Sequence, residues 1–394
     1  MDDPLRFSIL ASVDAVPEAV WDGLLEGDPE ATPFQRWAWL DALERGGCAV
    51  PGRGWHPHHV AMFRGSRLVA AAPAYVRDDS QGEFVFDFQW ARAAERAGIR
   101  YYPKLVLAVP FTPAQGRRVL VAPDEDRPAR TRDLLAFAVR AAQAEGLSGV
   151  HLLFATPGEL ECAVAEGGAH RAGVQFHWHN AGYRDFDDFL GRFSSKRRNQ
   201  LRRESRAPAA QGVEIVTRRG EALSVDDAEQ VHRLYSTTVD RFLWGRRYLT
   251  PAFFADVLGR FRQHLELVEA HHAGRVIAGA FNVASATHLY GRYWGCLEDK
   301  AFLHFNVCYY HSIAECIRRG VGTFEGGAGG EHKLSRGFEP AVTGSAHWVF
   351  HPGLFKAIRE FVSREREAIL AELPALMAGA GLCHPTRVGG ERME

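Results

Sequence analysis

The segment Leu289–Phe338, LYGRYWGCLEDKAFLHFNVCYYHSIAECIRRGVGTFEGGAGGEHKLSRGF, decides how the rest of the chain is read. Its first residues alternate, which sets Leu289, Gly291 and Tyr293 on one face of a strand and Tyr290, Arg292 and Trp294 on the other. Leu303, Val307, Tyr310, Ala314 and Ile317 then recur at helical spacing, opposed by His304, His311, Glu315 and Arg318, and predict an amphipathic helix that stops at Gly320. A short strand over Thr323–Glu325 follows and breaks into Gly326, Gly327, Gly329 and Gly330. Strand, helix and second strand ending in glycines put pliable backbone at the carboxyl edge of a sheet, where open α/β folds bind ligands. Glu331, His332, Lys333 and Arg336 come next.

A cation beside glycine backbone suits a phosphate or a developing oxyanion, because free N–H groups and the Lys333 ammonium both stabilise negative charge. A surface turn with a solvated lysine is the plainer reading of the same letters. No GK[ST] follows the glycines and no GxGxxG opens a helix, so neither a P-loop nor a dinucleotide fingerprint is present. Tyr290, Arg292 and Trp294 would line a cleft from one strand face, with Glu325 on the neighbouring strand as a candidate base, since a carboxyl buried among aromatics holds its proton more tightly. Core aromatics with a structural Arg292–Glu325 ion pair explain these residues equally well. His56, His58 and His59, or His177 and His179, have no carboxylate or cysteine cluster at ligand spacing, so no metal is expected. There is no GxSxG elbow, and Cys296 and Cys308 read as buried thiols.

With 394 residues, two domains are the expectation. Apolar residues at 46% and charged residues at 24% are values of a folded globular protein, and a net charge of −1 leaves any contact with nucleic acid or an anionic membrane to a local patch. The six cysteines form no CxxC pair, which fits reduced thiols and a cytoplasmic location. The N-terminal residues lack the order of a signal peptide, and no stretch reaches the roughly 20 apolar residues of a transmembrane segment.

Working back through the chain, PFQRWAWLDAL (33–43) predicts a helix, and HHVAMF and RLVAAAPAYV predict a hairpin that turns at Gly65. GEFVFDFQW (82–90) alternates strictly and predicts a strand with Phe84, Phe86, Phe88 and Trp90 on one face. A helix over Thr131–Gly146 and the buried strand GVHLLF (149–154) close this half. The order then returns as the hairpin LELVEAHHAGRVIAGAFNVAS, the strand HLYGRYW, a helix and a strand. Two β-β-β-α-β halves argue for an internal duplication, with domains at 1–175 and 176–352 and a C-terminal helix and tail at 353–394, the helix interrupted near its end by Pro374. Between the halves, residues 185–206 predict one helix with acids at its start, followed from Arg192 to Arg206 by seven basic residues against one acid, Glu204. Lys196, Arg203 and Arg206 fall near one face, and Arg198 and Arg202 form an i, i+4 pair on its neighbour. Such crowding is relieved by an anionic partner or by solvent.

The motifs FSSKRRNQLRRE (193–204), LYGRYWG (289–295), HFNVCYYHSIAECIRRG (304–320) and FEGGAGGEHKLSRGF (324–338) together resemble the FemAB-like family of peptidoglycan biosynthesis or recognition, within the GNAT acyltransferase superfamily. The likeness extends over nearly the whole chain, including PFQRWAWLDAL and RYYPKLVLAVPFTP. It implies an α/β fold of two tandem GNAT-like (acyl-CoA N-acyltransferase-like) domains, with mixed sheets flanked by helices. It also implies an acyl or aminoacyl transferase that moves an activated acyl group from a donor such as aminoacyl-tRNA or acyl-CoA to an amine acceptor, for instance a peptidoglycan precursor or another cell-envelope or small-molecule substrate. Lys333 takes the place of the lysine in the family's FKxxFG pattern, with His332 where phenylalanine would stand and Gly337 and Phe338 at its end. On this resemblance Lys333 stabilises charge on the reacting carbonyl, with Glu325, Tyr290 and Arg292 as further catalytic candidates. Lys196, Arg198, Arg202, Arg203, Gly327, Gly329, Gly330 and His332 are candidates for holding phosphates of a tRNA or nucleotide-linked precursor. The [QR]xxGx[GA] loop of acetyl-CoA-dependent relatives is replaced by CLEDKAFLHFN, which has no glycine. An acetyl-CoA-dependent N-acetyltransferase and a non-catalytic recognition module for a phosphate-bearing ligand are the alternatives.

Overall fold

The computed structural model of the chain describes residues 3–240, 246–327, 329–379 and Leu382. Two compact units emerge: Met1–Gly173 with Tyr248–Phe253 and Val342–Leu370, and Val174–Arg247 with Phe254–Ala341 and Ala371–Glu394.

The first unit opens with β1 (Leu5–Leu10), α1 (Glu18–Asp22) and α2 (Trp37–Arg45). It continues with β2 (Trp55–Pro57), β3 (His59–Arg64), β4 (Arg67–Ala72), β5 (Ala74–Arg77), α3 (Phe88–Arg96), β6 (Lys104–Leu107) and β7 (Leu120–Val121). Helices α4 (Arg127–Ala144) and α5 (Pro157–Ala165) flank β8 (Gly149–Ala155). An antiparallel sheet runs in the order β1-β3-β4-β7. In a second sheet β2, β5, β6 and β8 are neighbours, and β6 and β8 are parallel. Parallel strands need a crossover, and α4 supplies it, burying Leu134, Leu135, Ala138 and Ala142 with Val69, Val121, Leu105 and Val150.

Residues 82–90 depart from the strand that their alternation predicts. Phe84 turns the chain with a φ of 60°, and α3 begins at Phe88. Trp90 and Ala94, one helical turn apart, are buried with Leu354 and Ile358, so burial at an i, i+4 period prevails over alternation. The third strand of the first half is therefore β6, not residues 82–90.

The rest of the chain contributes β9 (Ala169–His179), α6 (Phe186–Leu190), α7 (Ser195–Ala210), β10 (Val213–Arg219), α8 (Ala228–Val239) and α9 (Pro251–Arg260). Next come β11 (Leu265–His272), β12 (Arg275–Ala284), β13 (His288–Cys296), α10 (Leu303–Phe305), α11 (His311–Arg319), β14 (Thr323–Glu325), β15 (Glu339–Val349) and α12 (Pro352–Gly379). In the second unit β10 to β13 form an antiparallel meander, while β14 is parallel to β13 and antiparallel to the end of β9. Helices α10 and α11 form the β13-to-β14 crossover, the counterpart of α4, and are joined by a π-helical turn over Asn306–Tyr310. Ile313, Cys316 and Ile317 pack with Trp178, Phe189, Phe193, Leu201 and Phe324, while Leu303 and Val307 pack with Val268, Ala270 and Ile277.

The single helix expected over 185–206 is two. The chain breaks after α6, and the Ser194 hydroxyl caps α7 by accepting the Arg197 N–H. Pro374 does not interrupt α12, which runs on to Gly379.

Candidate active site

The register between β12 and β13 shapes the site. Phe281 stands opposite Tyr293 and Asn282 opposite Gly291, leaving Arg292 as the extra residue of a β-bulge. A bulge reverses the alternation beyond it. Tyr290 and Trp294 thus lie on opposite faces, correcting the expectation that Tyr290, Arg292 and Trp294 share one. Tyr293 turns its ring to Tyr235 of α8, with centroids 5.0 Å apart. The other face carries a cavity of about 140 Å³ lined by Asn282, Gly291, Arg292, Trp294, Phe324, Gly326 and Gly327 from the sheet and its glycine break, and by His304, Cys308 and Tyr309 from the crossover. The π turn lies under this cavity and carries Cys308 and Tyr309.

Lys333 borders the same wall. It sits on a 3-10 turn, Glu331–Arg336, between Gly330 at φ 91° and Gly337 at φ 85°, conformations that glycine adopts without strain. The ammonium donates to the carbonyls of Gly327 and Gly329, each at 2.6 Å. Its Cε lies 3.2 Å from where a Cβ on Gly326 would stand, so a side chain there would press on the lysine stem. Lys333 is 2% exposed. Burial pushes its pKa down to about 8, with the neighbouring Cys308 acting weakly the other way.

Apart from Arg336 of its own turn, the titratable neighbours of Lys333 on this side of the sheet are kept neutral. Burial, reinforced by the cationic side chains nearby, pushes His304 down to about 4, and His332 is lowered for the same reasons. The Cys308 thiol and the Tyr309 phenol are both raised by burial and hold their protons. Tyr309 Oη and His332 Nε2 are 3.1 Å apart, and the His304 ring meets Trp294 edge-on with centroids at 4.9 Å.

Tyr290 and Glu325 are register partners on the opposite face of the sheet. There Glu325 lies 4.0 Å from His177, whose pKa burial pushes down to about 3. Arg292, Gly326 and Gly327 line the cavity and Tyr290 and Glu325 do not; Lys333 is not a lining residue and meets the cavity through the Gly326–Gly327 backbone it packs against.

The basic helix divides its residues. Asn199, Arg202, Arg203, Arg206, Ala207, Ala210 and Gln211 line an open groove of about 880 Å³ with Asp187, following a single stripe of α7. Arg202 donates to Asp187 at 2.9 Å. Lys196 and Arg198 lie outside the groove, Lys196 exposed and Arg198 donating to Ser195 Oγ at 3.3 Å. Arg197 faces inward and donates to the carbonyl of Ser335 at 2.8 Å. Glu204, the lone acid of the run, is buried with Arg336 and Tyr310. The sequence reading did not single out Asn282, His304 or Tyr309 as site residues. Asn282 carried a signal, a polar residue inside the apolar run GAFNVA, whereas a π turn leaves none. Of the histidines considered for metal, three go to separate carboxylates: His56 to Asp78, His58 to Glu145 and His59 to Glu44.

The profile of the FemAB-like family, described as peptidoglycan biosynthesis/recognition, matches residues 12–380. The chain belongs to the FemAB-like family. Among solved structures it is similar to FemX, at 12% identity and a TM-score of 0.55, over 87% of this chain and 98% of that one. It is also similar to L-PGS from Bacillus licheniformis, at 11% identity and a TM-score of 0.50, over 88% and 97% of the two chains. A tandem GNAT protein from the clavulanic acid biosynthesis pathway matches at 16% identity and a TM-score of 0.46, over 88% and 98%. No functionally curated protein matches the sequence. The FemAB-like chain has an α/β fold of two compact units with mixed sheets and flanking helices, a fold similar to that of FemX. Among the described residues, no helix is long and apolar enough to cross a membrane.

Proposed function

We propose that this FemAB-like protein transfers an activated acyl or aminoacyl group to an amine of a peptidoglycan precursor, in the cavity beside Lys333. The observation that carries the reading is the ammonium of Lys333, held out of water at a wall that also presents Arg292 and glycine backbone. The acceptor nitrogen attacks the carbonyl carbon of the donor ester or thioester, forming the C–N bond and moving the C=O electron pair onto oxygen. Lys333 and Arg292 stabilise that oxyanion, and their effect is strong because little water competes. Collapse breaks the bond to the carrier, and the proton lost by the nitrogen ends on the departing oxygen or sulfur. A lysine titrating near 8 suits that relay, since it gives up and regains a proton near neutrality. Glu325 is not needed in this scheme. Arg202, Arg203 and Arg206 grip phosphates of the carrier or acceptor along α7, a task that suits guanidinium groups.

The test pairs aminoacyl-tRNA and acyl-CoA donors with nucleotide-linked muropeptide acceptors and follows the acceptor mass. The expected outcome is a mass gain equal to one acyl group, with Lys333→Ala slower by roughly 10²–10³-fold. An acceptor that binds but gains no mass with any donor would replace transfer with recognition alone.

A further inference from the structure

The turn that carries Lys333 has left-handed glycines at both ends, and its local backbone bonds, such as Lys333 N–H to the Gly330 carbonyl and Gly337 N–H to the Leu334 carbonyl, shape it without anchoring it to the helices beside it. A buried side-chain cluster does that work from the adjoining helices. Arg336, 7% exposed, donates from Nη1 to the His332 carbonyl at 2.9 Å, from Nε to the Tyr310 hydroxyl at 3.0 Å and from Nη2 to Glu204 at 3.2 Å. Its guanidinium also lies 3.4 Å from the centroid of the Phe305 ring. Glu204, 2% exposed on α7, further accepts from the Tyr310 hydroxyl and from the Gln200 amide at 2.9 Å. A carboxylate buried to this degree is held only while its donors stay in place, and each of those donors comes from a different part of the fold. One end of the cluster is thus bonded to the residue that precedes Lys333.

We infer that Glu204 and Arg336 are positioning residues, which fix the turn so that the Lys333 ammonium stays against the carbonyls of Gly327 and Gly329 at the cavity wall. Their functional meaning rests on the transferase reading; the clamp itself does not. The titratable groups around Lys333 are Cys308 and His304 from the crossover and His332 and Arg336 from its own turn, with His177 of β9 felt from the other face of the sheet. The histidines among them are held neutral by burial, so Arg336 is the charged one. Loosening the turn exposes the ammonium to water and restores its ordinary affinity for a proton.

The experiment is trace acetylation of the full-length protein with acetic anhydride across the range in which lysines titrate, with the Lys333 peptide quantified by mass spectrometry. Wild type should show a midpoint near 8. Glu204→Gln and Arg336→Lys should move it upward by about one unit or more, Tyr310→Phe by less, and the exposed Arg318→Ala not at all. If the charge variants do not fold, Tyr310→Phe decides alone. A midpoint left at the wild-type value in folded Tyr310→Phe, or in a folded charge variant, would overturn the inference. Shifted midpoints in a protein that makes no product retain the clamp and sink the transferase, whereas Lys333-dependent transfer with unshifted midpoints sinks only the clamp.

Discussion

Lys333 is a cation kept from water, and that placement has a thermodynamic signature. Its pKa near 8, against 10.5 for a solvated lysine, corresponds to roughly 3 kcal/mol of destabilisation while the group is charged in both folded and unfolded states. Between 8 and 10.5 the unfolded chain binds the extra proton, so this contribution to stability rises with pH across that window. Lys333→Met is therefore expected to melt higher than wild type at neutral pH, with the gap closing as pH rises toward 10.5; melting curves of both proteins across that range are the check. Lys333 stood out in the sequence because it follows four glycines, and the structure buries it against their backbone. That Tyr290 and Trp294 lie on opposite faces was not legible, because one inserted residue at Arg292 reverses which side chains share a face, and alternation in a single sequence cannot reveal an insertion in its pairing.

At the scale of elements, the turn holding Lys333 depends on backbone that only glycine tolerates easily. At Gly337 a Cβ would lie 2.6 Å from Phe189 Cζ on top of a φ of 85°, whereas at Gly329 nothing lies within 4 Å. Gly337→Ala should lower stability by about 1–3 kcal/mol and Gly329→Ala by about 1 kcal/mol, measured by urea denaturation. Along α7 the exposed stripe should behave oppositely: Arg203→Ala with Arg206→Ala should leave stability within about 0.5 kcal/mol and weaken binding of phosphate-bearing ligands, with a shallower dependence on salt. The basic run was legible as a helix, and its one acid was the clue to its inner face, since a carboxylate amid seven cations that turns inward must find donors there. The region 82–90 misled because aromatic alternation fits a strand and the N-terminus of a helix alike over so few residues, and only Ala94 reveals the helical period.

Over the whole molecule, the repeated element order was visible because each half carries one crossover helix ending at a glycine before a buried strand, the α4 and α11 arrangement of the fold. Buried neutral histidines give the molecule a common weakness. His151 and His177 are pushed down to about 3 and His304 to about 4, and His347 is lowered well below its usual value, all by burial. An unfolded chain protonates them near 6.5, so stability is complete above that pH and falls as pH drops toward 4. Glu83, raised to about 7 by burial, opposes them with one group. Each net group contributes about 1.4 kcal/mol per pH unit, so a melting temperature that drops steeply below pH 6 is expected, and one that stays level down to pH 4 would show these imidazoles to be solvated.

Chemical rescue addresses the reaction most directly. Single-turnover transfer by Lys333→Ala should be about 10²-fold or more below wild type and should recover, saturably, when ethylammonium is added to fill the space left by the lysine. Full wild-type rate in Lys333→Ala without any added amine would contradict the assignment of the oxyanion to this lysine.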